Sequence, residues 1–154
     1  MEIEKHAVDR GLWTKGKWIT YSPDGDAPAE FLIAGWGNPD HIRAIGELII
    51  LSIAKRDDES EAQRQARVAH AYREAEITAI PGTVLRGWRG MTSKGKEVPF
   101  SVEAAQLVLP RMPAVLNFVR LHSKAIRTFQ TEAEADLGKA LALPSPGEPE
   151  SLPT

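Results

Sequence analysis

Residues 86–109 read RGWRGMTSKGKEVPFSVEAAQLVL, and this stretch is the most clearly patterned part of the chain. Trp88 lies between two glycines and is followed by a polar loop over residues 92–97. Ser101 suits a helix N-cap, because its hydroxyl can accept a hydrogen bond from an unpaired backbone N–H. Glu103 then falls in the first turn, where the helix dipole favours a carboxylate. The stretch therefore predicts a buried tryptophan, a loop and the start of a helix. It contains no recognisable set of catalytic residues.

The segment before this stretch predicts a β-hairpin over about residues 17–34. Lys17–Tyr21 is rich in aromatic and β-branched residues, as is typical of a strand, and residues 30–34 form a second such run. Ser-Pro-Asp-Gly-Asp at residues 22–26 provides the turn between them. A lone hairpin is marginal in water, so helices are expected to support it.

Four segments predict helices. Asn38 and Pro39 fit the cap and first position of a helix over about residues 39–55. Ser60 or Asp58 can cap a second helix over about residues 61–79. The third runs from Ser101 to about Leu109, and Pro113 suits the start of a fourth.

The last helix carries apolar residues in alternating steps of four and three, which is a heptad-like seam. Its members are Val115, Val119, His122, Ile126, Phe129, Ala133 and Ala140, with Asp136 falling in the same series. Leu116, Phe118, Leu121 and Ala125 add further apolar surface. Two apolar sides predict a partner helix or a homo-oligomer, and the alternative is a helix buried centrally in its own domain.

These elements predict a mostly α fold with four to five helices, a small N-terminal β-hairpin and a disordered C-terminal tail. Residues 1–142 are expected to form a single domain. Residues 143–154, rich in Pro, Gly, Ser and Glu, cannot bury enough apolar surface to offset chain entropy.

Composition excludes several classes of function. The net charge of the 154-residue chain is −2, so no global field attracts nucleic acid or an anionic membrane. The absence of cysteine removes disulfide and thiolate chemistry and fits a reducing cytoplasm. The longest apolar run, residues 48–54, is too short to span a bilayer. The chain is therefore expected to be soluble and intracellular, without a membrane partner.

No catalytic residues, metal ligands or cofactor site are predicted. The four histidines, His6, His41, His70 and His122, have no second His at metal-ligand spacing. His122 lies on the apolar seam and is interpreted as a core or interface residue. His70 and Glu74 stand one turn apart and can pair on an exposed helix face.

A basic cluster around Trp88 leaves nucleic acid as a minor alternative. The cluster consists of Arg86, Arg89, Lys94 and Lys96. An aromatic residue among cations can stack on bases and contact phosphates. Four cations in a chain that is acidic overall are weak support for nucleic-acid binding.

The central stretch resembles the signature of the tail assembly chaperones of long-tailed bacteriophages and prophages. That signature is Trp-x-Gly, a short polar loop with Gly, then Val/Ile-Pro-Phe/Tyr-Ser-x-Glu-x-Ala. The matching residues are Gly87, Trp88, Gly90, Gly95, Val98, Pro99, Phe100, Ser101, Glu103 and Ala105. The similarity extends in order over about residues 13–140. Pro81-Gly82 departs from the family pattern, in which the second helix runs straight into the tryptophan.

The resemblance implies a non-enzymatic protein of the host cell cytoplasm that is absent from the mature virion. Such proteins bind the tape-measure protein and help to recruit tail-tube subunits, often through a longer form made by frameshifting. The partner-binding surface is then expected on the last helix, at Val115, Leu116, Phe118, Val119, His122, Ile126 and Phe129. The alternative is a permanent structural protein of the tail or the head–tail junction, and a small enzyme ranks third.

Overall fold

A computed structural model describes residues 1–130, 137 and 139–142 of the chain. The tail predicted over residues 143–154 lies outside the described residues, as do Ala133 and Asp136 of the predicted seam.

A three-stranded antiparallel sheet organises the fold. Its strands are β1 (Lys17–Tyr21), β2 (Ala29–Ile33) and β3 (Leu85–Arg89), in the order β1-β2-β3. The predicted hairpin is confirmed as β1 and β2, which pair from Lys17 with Ile33 to Tyr21 with Ala29. The third strand comes from the central stretch and places Trp88 opposite Phe31.

The predicted fold class, mostly α with one hairpin, is wrong. The chain mixes helices with the three-stranded sheet and a two-stranded ribbon of β4 (Thr92–Ser93) and β5 (Lys96–Glu97). The central stretch is the cause, because its first half pairs with the hairpin and its polar loop folds back as the ribbon.

Five α-helices lie entirely within residues 1–130, and residues 137 and 139–141 are helical as well. The five are α1 (Arg10–Lys15), α2 (Pro39–Ile49), α3 (Glu61–Thr78), α4 (Val102–Val108) and α5 (Pro113–Lys124). Short 3₁₀ helices span Ile3–His6, Leu109–Arg111 and Ile126–Phe129. The predicted N-caps are confirmed, since side chains of Asn38, Ser60 and Ser101 accept hydrogen bonds from the backbone N–H groups they precede.

Two of these helices are shorter than the sequence predicts. Helix α2 ends at Ile49 and not near Lys55, and the chain then forms an irregular connection to α3. Helix α5 ends at Lys124 because Ala125 adopts an extended conformation, with φ −78° and ψ 107°. The apolar seam predicted through residue 140 therefore does not lie on one continuous helix.

The core lies between the inner face of the sheet and helices α4 and α5. Phe31, Ile33 and Leu85 of the sheet are fully buried, as are Ala105 of α4 and Val119 of α5. Packing of this helical layer on β2 is what orients α5, and it removes much of that helix's apolar surface from water.

Trp18 lies on the outer face of the sheet beside Gly87. The ring of Trp18 lies 3.4 Å from the point where a Cβ of Gly87 would stand. The guanidinium of Arg89 lies 3.8 Å from the centre of the same ring and pairs with Glu30. The ring of Trp18 therefore covers this face of the sheet between Gly87 and Arg89, at a distance that a Cβ would also tolerate.

Helices α2 and α3 form a hairpin joined to the sheet through two polar residues. The side-chain amide of buried Asn38 donates to the carbonyl oxygens of Gly35 at 2.9 Å and Thr83 at 2.8 Å. Arg86 donates to Asp40 at 2.9 Å and to the carbonyl oxygen of Thr14 at 2.7 Å. The hydrogen bond from Arg86 lowers the pKa of the Asp40 carboxyl.

The connection between α2 and α3 is held by an ion pair. The guanidinium of Arg67 donates to both carboxylate oxygens of Glu59, at 2.7 and 2.9 Å, and to the carbonyl oxygens of Ser52 and Ala54. The Glu59 side chain is only 10% exposed. This hydrogen bond from Arg67 lowers the pKa of Glu59 from 4.5 to about 2.

Glu59 is expected to make the stability of the chain depend on pH in acid. Because its pKa is lowered on folding, the carboxylate stabilises the folded state above pH 4.5, and this contribution is lost as the pH falls towards 2. Glu59→Gln should therefore lower the urea midpoint at pH 7, and the difference from the parent should shrink between pH 4.5 and pH 2. Glu61→Gln is the control, since that carboxylate is 63% exposed. A difference that stays constant down to pH 2 would contradict the assignment.

Candidate functional site

The central stretch forms a compact unit around Trp88. The indole N–H of Trp88 donates to the carbonyl oxygen of Val98 at 2.7 Å, and its ring meets Phe100 edge to face with 5.0 Å between ring centres. Val98 in turn donates its N–H to the carbonyl oxygen of Met91 at 2.8 Å. The two ends of the polar loop are thereby fixed on either side of the tryptophan.

Positive φ angles shape the ribbon. Lys94 and Gly95 have φ of 51° and 76°, the combination that a type I′ hairpin turn requires at its two central residues. Gly90, at the end of β3, has φ of 78°, and a Cβ there would stand 3.1 Å from the carbonyl oxygen of Pro28. Glycine at position 90 thus lets the chain turn against the loop between β1 and β2.

The other signature residues complete this unit. Pro99 and Phe100 connect the ribbon to α4, and Ser101 accepts from the N–H of Ala104 at 3.0 Å. Glu103 lies in the first turn of α4, and Ala105 is fully buried against the core. The residues of the signature are therefore neighbours in space as well as in sequence.

A cleft of about 560 Å³ opens beside this unit. One wall is the loop between β1 and β2, the second is the start of the ribbon, and the third is the corner between α4 and α5. The apolar side chains that line it are Tyr21, Met91, Leu107, Val108, Met112 and Val115. We refer to this feature as the α4–α5 cleft.

The α4–α5 cleft presents apolar side chains to solvent. Leu107 is 63% exposed and Met112 is 38% exposed. Methionine is unbranched and adapts its shape to a partner, so two methionines in one cleft suit a surface that binds another chain. The cleft therefore offers an exposed apolar surface that another molecule can contact.

Two of the three walls of the cleft carry opposite charges. Asp26 lies on the β1–β2 loop, where its carboxylate accepts from the N–H of Ala27 at 2.8 Å. Arg111 lies on the helical corner and donates to the carbonyl oxygen of Leu107 at 2.6 Å. A partner with charges on both sides of an apolar ridge would be oriented by this pair.

The residues predicted to bind a partner fall into three groups. Val115, Val119 and Phe129 are buried in the chain's own fold. Leu116, Phe118 and His122 are half-buried, and Ile126 is 43% exposed. Phe118 packs on Tyr21, with 5.0 Å between ring centres, and on His122, with 4.3 Å. Four of these seven residues, Val115, Leu116, Phe118 and Val119, thus lie in or against the core cluster of the sheet and helices.

The structure brings together only part of the predicted site. Val115 lies on the wall of the α4–α5 cleft with Trp88 and Gly90. Leu116 lines a separate groove of about 310 Å³ beside Ile77 and Leu109. Phe129 packs on Trp13 at the other end of the domain, with 5.3 Å between ring centres.

Sequence reasoning missed the most exposed residues of the cleft. The sequence places Leu107 in the third predicted helix and Met112 directly before the fourth. The pattern around an isolated apolar residue does not reveal whether its side chain points into the core or into solvent. Met112 between two prolines marks a turn in the chain, and this is the one local feature that indicates its exposure.

The basic cluster does not form one cationic surface. Arg86 is bound to Asp40, and Arg89 lies over Trp18 and pairs with Glu30 at 3.5 Å. Lys94 and Lys96 lie on the exposed ribbon. Two of the four cations are thus already paired with carboxylates, which leaves a weaker electrostatic footprint than the sequence predicts.

Titratable groups are dispersed over the surface. Within the described ranges, no group of three or more His, Asp or Glu residues could hold a metal ion. The predicted pair of His70 and Glu74 is confirmed at 3.0 Å on an exposed face of α3. No helix in the described part of the chain is both long and apolar enough to cross a membrane.

Comparison with known proteins gives one family and one distant similarity. The chain is 25% identical over 131 residues to a β-galactosidase of Oenococcus oeni, which covers 85% of the chain and 12% of that enzyme. The chain thus spans only about an eighth of the length of this relative. No solved structure matches.

The family comparison covers helices α2 to α5, β3 and the whole α4–α5 corner. The profile described as YdaY prophage protein matches residues 37–140, which is well over half of the chain. The matched segment includes the unit around Trp88 and five of the six apolar residues named above for the cleft, Met91, Leu107, Val108, Met112 and Val115. The chain therefore belongs to the YdaY prophage protein family.

Proposed function

We propose that this prophage protein is a non-enzymatic tail assembly chaperone that binds the tape-measure protein in the α4–α5 cleft. The observation that carries the proposal is the exposed apolar lining of this cleft, part of which comes from the stretch that resembles the chaperone signature. Membership of a prophage family supports the same setting.

The chemistry of the cleft suits an amphipathic helix. A tape-measure protein consists of long helices whose apolar faces need cover before the tail is built. Such a helix can lay its apolar face into a hydrophobic groove. Met91 and Met112 can adapt to successive segments of a long client, because methionine accommodates differently shaped partners.

The size of the cleft favours binding that can be reversed. A cleft of about 560 Å³ with one open side contacts a short length of helix, so several copies would be needed to cover a long client. Short contacts give moderate affinity, and moderate affinity allows release when tube subunits arrive.

The proposal includes the wider setting that the resemblance implies. The chain would act in the host cell cytoplasm, recruit the tail-tube protein through a longer frameshifted form, and be absent from the finished particle. Mass spectrometry of purified virions separates this role from a permanent tail or head–tail protein, which would be present in stoichiometric amount.

Substitutions in the exposed lining of the cleft should abolish client binding. Leu107→Asp and Met112→Asp each place a charge where the apolar face of the client would lie, so we expect the dissociation constant for the client to rise about tenfold or more, equivalent to about 1.4 kcal/mol, and the amount of soluble client to fall. The measurement is the amount of tape-measure protein of the same prophage that stays soluble when the two proteins are co-expressed.

Leu121→Asp is the matched control. Leu121 lies on α5, is 68% exposed and is not part of the cleft, so this variant should keep the client soluble. Circular dichroism of all three variants checks that the fold is retained. A client that is soluble without this chain, or that responds equally to all three variants, would contradict the proposal.

A further inference from the structure

Helix α2 has more apolar surface than its own fold buries. His41 and Ile49 are the buried residues of α2, on the side of the helix that faces the rest of the chain. Ile42, Gly46 and Ile50 form the next row along the helix, one turn apart, and the two isoleucines are 62% and 64% exposed. Ile50 belongs to this row because it keeps helical torsion angles, with φ −55° and ψ −35°.

Gly46 makes a notch in the middle of this row. A Cβ placed there would have no other atom within 4 Å, so packing within the chain does not require glycine. Glycine inside a helix costs about 0.5–1 kcal/mol relative to alanine. The row therefore consists of two exposed isoleucine side chains, Ile42 and Ile50, with an unfilled space between them at Gly46.

Two opposite charges border the row. Arg43 and Glu47 are one turn apart and exposed on the flank next to Ile42, Gly46 and Ile50. Arg43 contacts Asp40 at 3.2 Å, and an exposed contact of this kind contributes little and can be exchanged.

We propose that this row is the docking surface for a second copy of the chain, with α2 packed antiparallel on α2 about a two-fold axis at Gly46. In this arrangement Ile42 of each copy meets Ile50 of the other, and Arg43 of each copy lies beside Glu47 of the other. A two-fold contact needs a patch that complements itself, and the charges satisfy this condition only when the helices are antiparallel.

The size of the contact predicts a weak dimer. A stable interface buries about 800 Å² per partner, and one helix row with the exposed Leu51 and Ile53 at its end provides less. The glycine lets the two helices approach closely, which improves packing over a small area. We expect a dissociation constant of about 1–100 µM.

Sedimentation velocity over about 1–300 µM protein tests the dimer, because this range brackets the expected dissociation constant. Arg43→Glu and Glu47→Arg should each raise the dissociation constant about tenfold or more, and the double variant should restore it. Arg73→Glu, on the outer face of α3, is the charge-matched control and should leave the dimer unchanged. A monomer at every concentration, or a double variant no better than the single ones, would overturn the proposal.

Two substitutions of Gly46 test the register. Gly46→Leu should fill the notch and abolish the dimer while leaving the thermal midpoint equal or higher, since leucine favours helix. Gly46→Cys should give a disulfide-linked dimer on mild oxidation, because the chain has no other cysteine. A dimer that survives Gly46→Leu would overturn the register. This proposal is independent of client binding, since the row lies outside the α4–α5 cleft.

Discussion

Replacing Trp88 with alanine should lower the free energy of unfolding by about 3–5 kcal/mol, the usual cost of removing a buried tryptophan. The side chain is 6% exposed and belongs to the core cluster of the sheet and helices. It also pairs with Phe100 and holds Val98, so its loss removes the link between β3 and α4. Urea unfolding followed by circular dichroism measures the effect.

Trp88→Phe separates the ring from its hydrogen bond. Phenylalanine keeps an aromatic ring against Phe100 but leaves the carbonyl oxygen of Val98 without the indole donor. An unpaired buried acceptor costs about 1–3 kcal/mol, so this variant should fall between the parent and Trp88→Ala. The walls of the α4–α5 cleft should also loosen, because Trp88 and Val98 both line it.

Trp18→Ala is the matched control for Trp88→Ala. Trp18 lies on the outer face of the same sheet and is 37% exposed, with Arg89 over its ring. Its removal should cost less than that of Trp88, because over a third of its surface is already in water and its contact with Arg89 is worth about 0.5–1 kcal/mol at an exposed site. Equal losses at Trp18 and Trp88 would contradict the assignment of Trp88 as the anchor of the fold.

Local chemistry made the helix starts and the hairpin predictable. Asn38, Ser60 and Ser101 each act on N–H groups within three residues, so short sequence patterns contain the whole interaction. The hairpin of β1 and β2 follows for the same reason, since its strands and its turn are adjacent in the sequence.

The third strand was not predictable from local pattern. Residues 85–89 read LRGWR, with a glycine at the centre and no β-branched residue. They form a strand because Phe31 and Leu32 of β2 offer a paired edge more than fifty residues away. Pairing with β2 therefore outweighs the weak β-strand preference of residues 85–89. This is why the predicted fold class was wrong.

Periodicity alone did not reveal how much of α5 is buried by the chain's own fold. The seam on α5 has the right spacing, but Val115 and Val119 are buried by the sheet that sequence reasoning had underestimated. The cleft draws its walls from residues near positions 21–29, 88–98 and 107–115. Its position depends on how three distant segments meet, which no local pattern contains.

Replacing Asn38 with alanine should lower the free energy of unfolding by about 3–5 kcal/mol. Its side-chain oxygen accepts from the N–H groups of Asp40 and His41, which caps α2. Its amide group donates to the carbonyl oxygens of Gly35 and Thr83. The cap is worth about 1 kcal/mol, and the carbonyl of Thr83, left unpaired, adds about 1–3 kcal/mol. The carbonyl of Gly35 keeps the backbone N–H of Asn38, so the hydrogen bond lost there adds about 1 kcal/mol, and the larger part comes from the two donors.

Asn38→Asp isolates those donors, because aspartate keeps the capping oxygen and removes the amide N–H groups. We expect it to destabilise the chain at least as much as Asn38→Ala at pH 7, since a buried carboxylate would face two carbonyl oxygens. Ser101→Ala is the matched control, because that exposed cap makes one hydrogen bond and should cost about 1 kcal/mol. Urea unfolding of the three variants ranks them directly. If Asn38→Asp were as stable as the parent, Asn38 would act only as a helix cap. Other contacts would then join the α2–α3 hairpin to the sheet.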